Sequence, residues 1–398
     1  MRNGRVVVAV VGVSAVLMAC GGENDTAGRT PARAPTVVTA DNRAAGAHAF
    51  EALAPDWRTD FRKSSVPATE FRSGGPGKDG IPAIDEPKFV GVNEANFLDD
   101  RDPVLALELG GEARAYPLQI LIWHEIVNDT VAGEAVVVTY CPLCNSSLVF
   151  RRIVDGAVLD FGVSGFLRNS DLVMFDRQTE SWWQQVTGEA LVGAYTGTVL
   201  DVVPASTIAF SEFRQAYPGG LVLSRETGYR RDYGRSPYAG YDTPGSDPFL
   251  FDGEVDDRLD AVDRVVAVEI AGDSVAYAFS RLAEHPAVND TVGGVPIVVL
   301  YRPGVASPLD RSSIAESKDV GQGVAFRRAV DGSVLTFDQA GELFRDRETG
   351  STWQITGHAT AGPLAGSQLE PVVHGNHFWF AWAVFKPETR VWQPEATE

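Results

Sequence analysis

Residues 127–131 read Val-Asn-Asp-Thr-Val, and residues 288–292 read Val-Asn-Asp-Thr-Val again. The match extends well beyond five residues. Val104-Leu-Ala-Leu-Glu108 corresponds to Val265-Val-Ala-Val-Glu269, Ala115-Tyr116 to Ala276-Tyr277 and Tyr140 to Tyr301, all at one constant offset. An extra segment near Ser307 to Gln322 then shifts the register. After it, Phe150-Arg-Arg-Ile-Val-Asp-Gly156 corresponds to Phe326-Arg-Arg-Ala-Val-Asp-Gly332, Asp176-Arg177 to Asp346-Arg347, and Trp183-Gln184 to Trp353-Gln354. A repeat this long is no solenoid unit and suits a tandem domain pair.

Within each unit the period is mostly two. Val104 to Leu109, a Gly110-Gly111 turn and Glu112 to Tyr116 predict a hairpin. Pro117 to Trp123 reads as a short helix with Pro at its first position. Ala135 to Tyr140 reads as a strand. Leu148–Ile153 and Val158–Val163, joined by Asp155-Gly156, predict a hairpin, because Asp-Gly suits a type I′ turn. Leu172–Asp176 and Ser181–Gln185 predict another, and Phe210–Ala216 a short helix. The expected fold is mainly β with short helices, an α+β chain of two duplicated domains. Each would be a twisted antiparallel sheet or a partly closed barrel.

The expected boundaries are a leader over 1–19, a tether and arm over 20–84, a first repeat over 85–227, a connector over 228–255 and a second repeat over 256–398. The leader has Arg2 and Arg5 before an apolar run from Val6 to Met18. That run is too short to span a bilayer and has signal-peptide proportions. It ends in Leu17-Met18-Ala19-Cys20, which resembles a bacterial lipobox and implies lipid on Cys20. The chain is then expected to be exported and held on a bacterial membrane, on its periplasmic or cell-surface side. With 34 Lys and Arg against 53 Asp and Glu, the chain carries a net −19. An acidic surface repels phosphate backbones and excludes nucleic acid as a natural partner. The connector is rich in Tyr, Arg and Gly, and its aromatics are expected to pack across both repeats.

Duplication separates framework from function. Tyr116, Asn128, Asp129, Asp176, Arg177, Trp183 and Gln184 recur in the second unit and read as ion pairs, turn bonds and aromatic core. Other residues occur once. Cys141 becomes Arg302, Cys144 becomes Val305, Trp123 becomes Glu284, Glu125 becomes Pro286 and Met174 becomes Phe344, while His124 persists as His285.

Four motifs carry a family resemblance. They are Tyr116-Pro-Leu-Gln-Ile-Leu-Ile-Trp-His-Glu-Ile-Val-Asn-Asp129, Tyr140-Cys-Pro-Leu-Cys144, the run Gly162 to Arg177, and Phe378-Trp-Phe-Ala-Trp382. Together they resemble the domain-of-unknown-function family 3179, over about Asp85 to Trp392. The resemblance places the Cys-x-x-Cys and Trp-His-Glu runs in the family pattern but implies no activity. Asn145 stands where Gly is expected.

The Cys-Pro-Leu-Cys turn admits several chemistries. A thioredoxin-type dithiol begins a helix, whereas Ser146 to Arg152 reads as a strand. A structural zinc knuckle usually pairs two such turns, and there is only one, which leaves zinc a site made of both cysteines, one histidine and a carboxylate. A disulfide within the turn closes a very small loop and adds little stability. A soft-metal site, copper above all, suits thiolate, imidazole and thioether donors. Cys141, Cys144 and His124, with Met174 as a fourth, make that set. The reading is therefore a soft-metal or redox site in the first repeat, with a metal-delivery or other protein partner. The alternative is a non-catalytic scaffold whose cysteines form a disulfide or hold zinc. Enzyme signals are weak, since Gly162-Val-Ser-Gly165 lacks the nucleophile-elbow spacing. His374-Gly-Asn-His377 has metal spacing only on a helix and is expected in a solvated loop.

Overall fold

Gly110 and Gly111, at φ of 58° and 84°, turn the chain between strands β1 (Pro103–Leu109) and β2 (Glu112–Pro117) in the computed structural model, which describes residues 40–394. The leader, Cys20 and the rest of the tether up to residue 39 lie outside those residues. Helix α1 (Leu118–His124) follows at once, with Pro117 as its N-cap. Then come β3 (Ile126–Val131), β4 (Glu134–Cys141) and β5 (Ser146–Arg151), paired antiparallel in sequence order. Strands β6 (Phe161–Arg168), β7 (Asp171–Asp176) and β8 (Trp182–Gln184) build a second sheet. Strand β9 (Ser206–Ala209) returns to pair with β1 and leads into α2 (Phe210–Ala216).

The second half runs through a closely similar order. Strands β10 (Arg264–Ile270) and β11 (Asp273–Ala278) form a hairpin followed by α3 (Phe279–Glu284). Strands β12 (Ala287–Val292), β13 (Val295–Arg302) and β14 (Gln322–Arg327) form one sheet. Strands β15 (Phe337–Ala340), β16 (Leu343–Asp346) and β17 (Thr352–Trp353) form another. Strand β18 (His374–Phe378) pairs with β10, and α4 (Trp379–Ala383) follows it. The chain is thus mainly β with short helices.

The shared residues are framework. Asp176 accepts a bond from Trp183 Nε1 at 3.0 Å and closes the Thr179 turn, and Asp346 does the same for Trp353 at 2.8 Å and for Thr349. Tyr116 donates to Asp129, and Tyr277 to Asp290.

One hairpin differs from expectation. β5 ends at Arg151 and pairs with β4 and with Val202–Val203, so it does not continue into β6. Asp155 and Gly156, at φ of 49° and 78°, close only a small hairpin between Ile153–Val154 and Ala157–Val158. The Asp-Gly turn chemistry held locally, but the fully buried Val149 and Phe150 took their partners from the core sheet.

Strand β1 is buried on both faces. Leu105 and Leu107 join one core, and Val104 and Ala106 join another. Both cores draw on the two halves. The first gathers Tyr140, Cys141 and Cys144 with Val262, Leu309, Phe378 and Phe380, and the second gathers Val104 and Ile208 with Val298 and Trp353. No described helix is long and apolar enough to cross a membrane.

Candidate metal centre

The thiols sit where β4 stops. Pro142 fixes one 3-10 turn over Pro142–Cys144, and Asn145 ends it in the left-handed region at φ 49°, its N–H donating to Pro142 O. Asn tolerates that conformation better than other non-glycine residues, which accounts for Asn where Gly was expected. The next residue starts β5, so no helix dipole addresses either cysteine.

Cys141, Cys144 and Asp171 present their sulfur and carboxylate atoms within 4.8 Å of one another. Cys141 is 1% exposed, and Cys144 and Asp171 are fully buried. The cysteines are not bridged by a disulfide. Their sulfurs lie 3.9 and 3.6 Å from the Ser170 carbonyl oxygen. Asp171 comes from the start of β7, just after the left-handed residues Asn169 and Ser170.

The carboxylate is held from behind. Its Oδ2 accepts from Gln184 Nε2 at 2.6 Å and from the Val186 amide at 3.0 Å. Its Oδ1 has no hydrogen-bond partner. Ser146 Oγ, Ser170 Oγ and Gln185 Oε1 are also buried without partners. Buried polar atoms are almost always satisfied, so these atoms could each take a further partner. A carboxylate oriented through one oxygen and free at the other is how a metal ligand is commonly prepared.

Burial dominates the electrostatics. It pushes both thiols above their ordinary range, and the carboxylates of Asp171 and Glu125 add to the effect on Cys141. Burial raises Asp171 to about 6, against the pull of the Val186 amide and the Gln184 side chain. Burial, with Asp171 nearby, raises Glu125 to about 8. Glu125 caps α1 in the left-handed region at φ 60°, and its carbonyl accepts from Tyr140 N. Free of metal, the site holds neutral thiols, which are poor nucleophiles. A bound cation reverses that balance and releases protons from the thiols.

The connector closes the site. Tyr238 and Tyr241 pack on the core that holds the thiols, and the Tyr241 amide donates to Leu309 O of the second half. The connector's aromatics therefore bridge both halves.

The other two expected ligands fare differently. His124 stands outside the thiol–carboxylate group. Its Nδ1 donates to Pro82 O at 2.7 Å, which leaves Nε2 to accept from Tyr233 Oη at 2.7 Å. Both ring nitrogens are thus committed to other partners. Met174 is fully buried in the same core as the cysteines, cross-strand from Val163 and Trp183. Asp171 escaped the sequence reading, although a signal was present. The offset that aligns Asp176 with Asp346 aligns Asp171 with Gly341 and Gln185 with Ile355, so both are one-copy residues like the cysteines.

No curated protein and no solved structure matches the chain. A family comparison matches residues 78–389, which include the whole centre and most of the described chain. The chain therefore belongs to DUF3179, a family described as proteins of unknown function.

Proposed function

We propose that this is a metal-binding protein whose ion is held by Cys141, Cys144 and Asp171. The observation that carries the reading is a buried carboxylate, Asp171, anchored through Oδ2 and without a partner at Oδ1, that brings an oxygen within 4.8 Å of two buried thiol sulfurs. Two thiolates and a carboxylate carry three negative charges. A divalent ion leaves one of them uncompensated in the core, and copper(I) leaves two. Uncompensated buried charge is costly, and a carboxylate donor suits zinc better than copper(I). Copper, the ion expected from the thiols with His124 and Met174, becomes the less favoured candidate because His124 is engaged elsewhere. A redox dithiol is less favoured still, because neither thiol is exposed or acidified.

Metal analysis of the purified chain tests this. One zinc per chain is expected, lost in Cys144→Ser and weakened in Asp171→Asn. One copper would change the ion and keep the site. No metal, with two titratable thiols, would overturn the proposal.

The leader and the Leu-Met-Ala-Cys run support a reading in which the chain is exported and carries lipid on Cys20. Cys20→Ser is expected to release the protein from the membrane fraction or leave its leader uncleaved. Unchanged anchoring would remove this part of the reading.

A further inference from the structure

His374 and His377 lie in strand β18 and are 5% and 1% exposed, so the solvated loop expected for them is not there. Both line a cavity of about 270 Å³ at the seam between the halves. Leu148, Val186 and Val202 of the first half and Ala267 and Trp382 of the second give it apolar walls.

His377 is an unusual wall residue. Among the described residues neither ring nitrogen has a hydrogen-bond partner, and Nδ1 is sealed from solvent. The ring stacks on Trp382, with centroids 5.3 Å apart and planes 12° apart. A Cβ on Gly375 would overlap Nε2, so only glycine leaves room for that edge, and Gly375 itself lines the cavity. An unmet N–H buried against apolar atoms costs more than an unmet ring lone pair. The proton therefore belongs on Nε2, where the cavity can supply an acceptor. His374 has the opposite arrangement. Its Nδ1 donates to Val372 O at 2.7 Å, which leaves an unprotonated Nε2 at 3.4 Å from Ser206 Oγ.

We propose that this cavity is a binding site for a small, uncharged, largely apolar organic molecule bearing an oxygen acceptor such as a carbonyl. The oxygen accepts from His377 Nε2–H, and the apolar body lies against Trp382, Leu148 and Ala267. Size fits one ring with a short substituent, since a cavity of about 150 Å³ already takes benzene. Charge excludes an anion. Among the described residues that line the cavity the one cation, Lys386, is paired with Glu269, and the chain's net charge of −19 repels negative ligands. The site is separate from the metal centre and does not rest on it, although Val186 forms one wall and its amide holds Asp171.

Calorimetry or ligand-observed NMR on the full chain tests this with acetophenone and with ethylbenzene, which lacks the oxygen. Acetophenone is expected to bind saturably and about tenfold more tightly than ethylbenzene, the worth of one buried hydrogen bond. Val373→Trp, at a 37% exposed rim position, should block both. His377→Phe should bring the two affinities together. If a melting curve shows His377→Phe unfolded, the ketone preference of the unmodified chain and its loss in Val373→Trp still decide. No saturable binding, no preference for the ketone, or binding unchanged in Val373→Trp would overturn the proposal.

Discussion

The end of β4 and the end of β13 are equivalent positions put to different uses. In the first half a tight turn over 142–145 links Cys141 to its cross-strand partner Ser146. In the second half the chain leaves Arg302, wanders through 303–321 and returns to pair Arg302 with Gln322. The thiol position has become a guanidinium that grips Glu212 of α2 at 2.8 Å. The longer loop meets the connector, since Ser236 and Gly240 amides donate to Ser312 and Leu309 carbonyls. One half places two buried thiols at this point of the framework, and the other a loop that bonds to the connector. Both halves keep the Asp–Trp turn and the Tyr–Asp bond.

The comparison can be broken at its strongest point. Trp183→Ala and Trp353→Ala should each cost about 3–5 kcal/mol, because both rings are fully buried and bonded to Asp176 and Asp346. Denaturant melts check this. A much smaller loss at Trp353 would show that the second half has a looser framework. Next in size is the divergent pair. Arg302→Ala should cost about 1–3 kcal/mol by leaving the largely buried Glu212 unpaired, with the metal content unchanged. Cys144→Ser should remove the metal.

A third contrast is in pH. Glu125, raised from 4.5 to about 8, corresponds to Pro286, which cannot titrate. A carboxyl whose folded pKa is raised stabilises the protein fully below its unfolded pKa, and that stability is lost as pH rises through the folded value. Metal-free protein should therefore melt lower at about pH 8 than at about pH 5, with Asp171 contributing in the same direction. Glu125→Gln should reduce that difference. Thermal melts in chelator read it, and an unchanged difference would place the titration elsewhere. The smallest contrast is at the turns. Asn145→Gly should stay within about 0.5 kcal/mol. Gly321→Ala, at φ 76° and against the Tyr301 hydroxyl, should cost more than about 1 kcal/mol.

Much of the fold could be read from local pattern. The β1–β2 hairpin was legible because Gly110 and Gly111 readily take the positive φ that a two-residue hairpin turn needs, and α2 forms over the bounds expected for it. The run from Leu148 to Val163 was misread because sheet membership is decided by distant partners. Val202 and Val203 claim one side of β5, and no local signal announces them. The centre was half legible. A Cys-x-x-Cys turn stands out in a chain with three cysteines, whereas Asp171 is one of many acids and becomes distinctive only against Gly341. His124 drew attention as a ligand type, but its tautomer is set by Pro82 and Tyr233, neither of which lies near it in sequence.

The shared cores dictate an order of events during synthesis. Phe378 and Phe380, close to the C-terminus, complete the same apolar cluster that surrounds Cys141 and Cys144. The thiols emerge long before those rings exist, so a nascent chain carries them in an incomplete core until β18 and α4 dock. A chain stopped short of β18 is expected to keep both thiols open to alkylating reagents, while the full chain hides them. Reactivity at Cys141 and Cys144 thus serves as a built-in report of whether the C-terminal end has arrived.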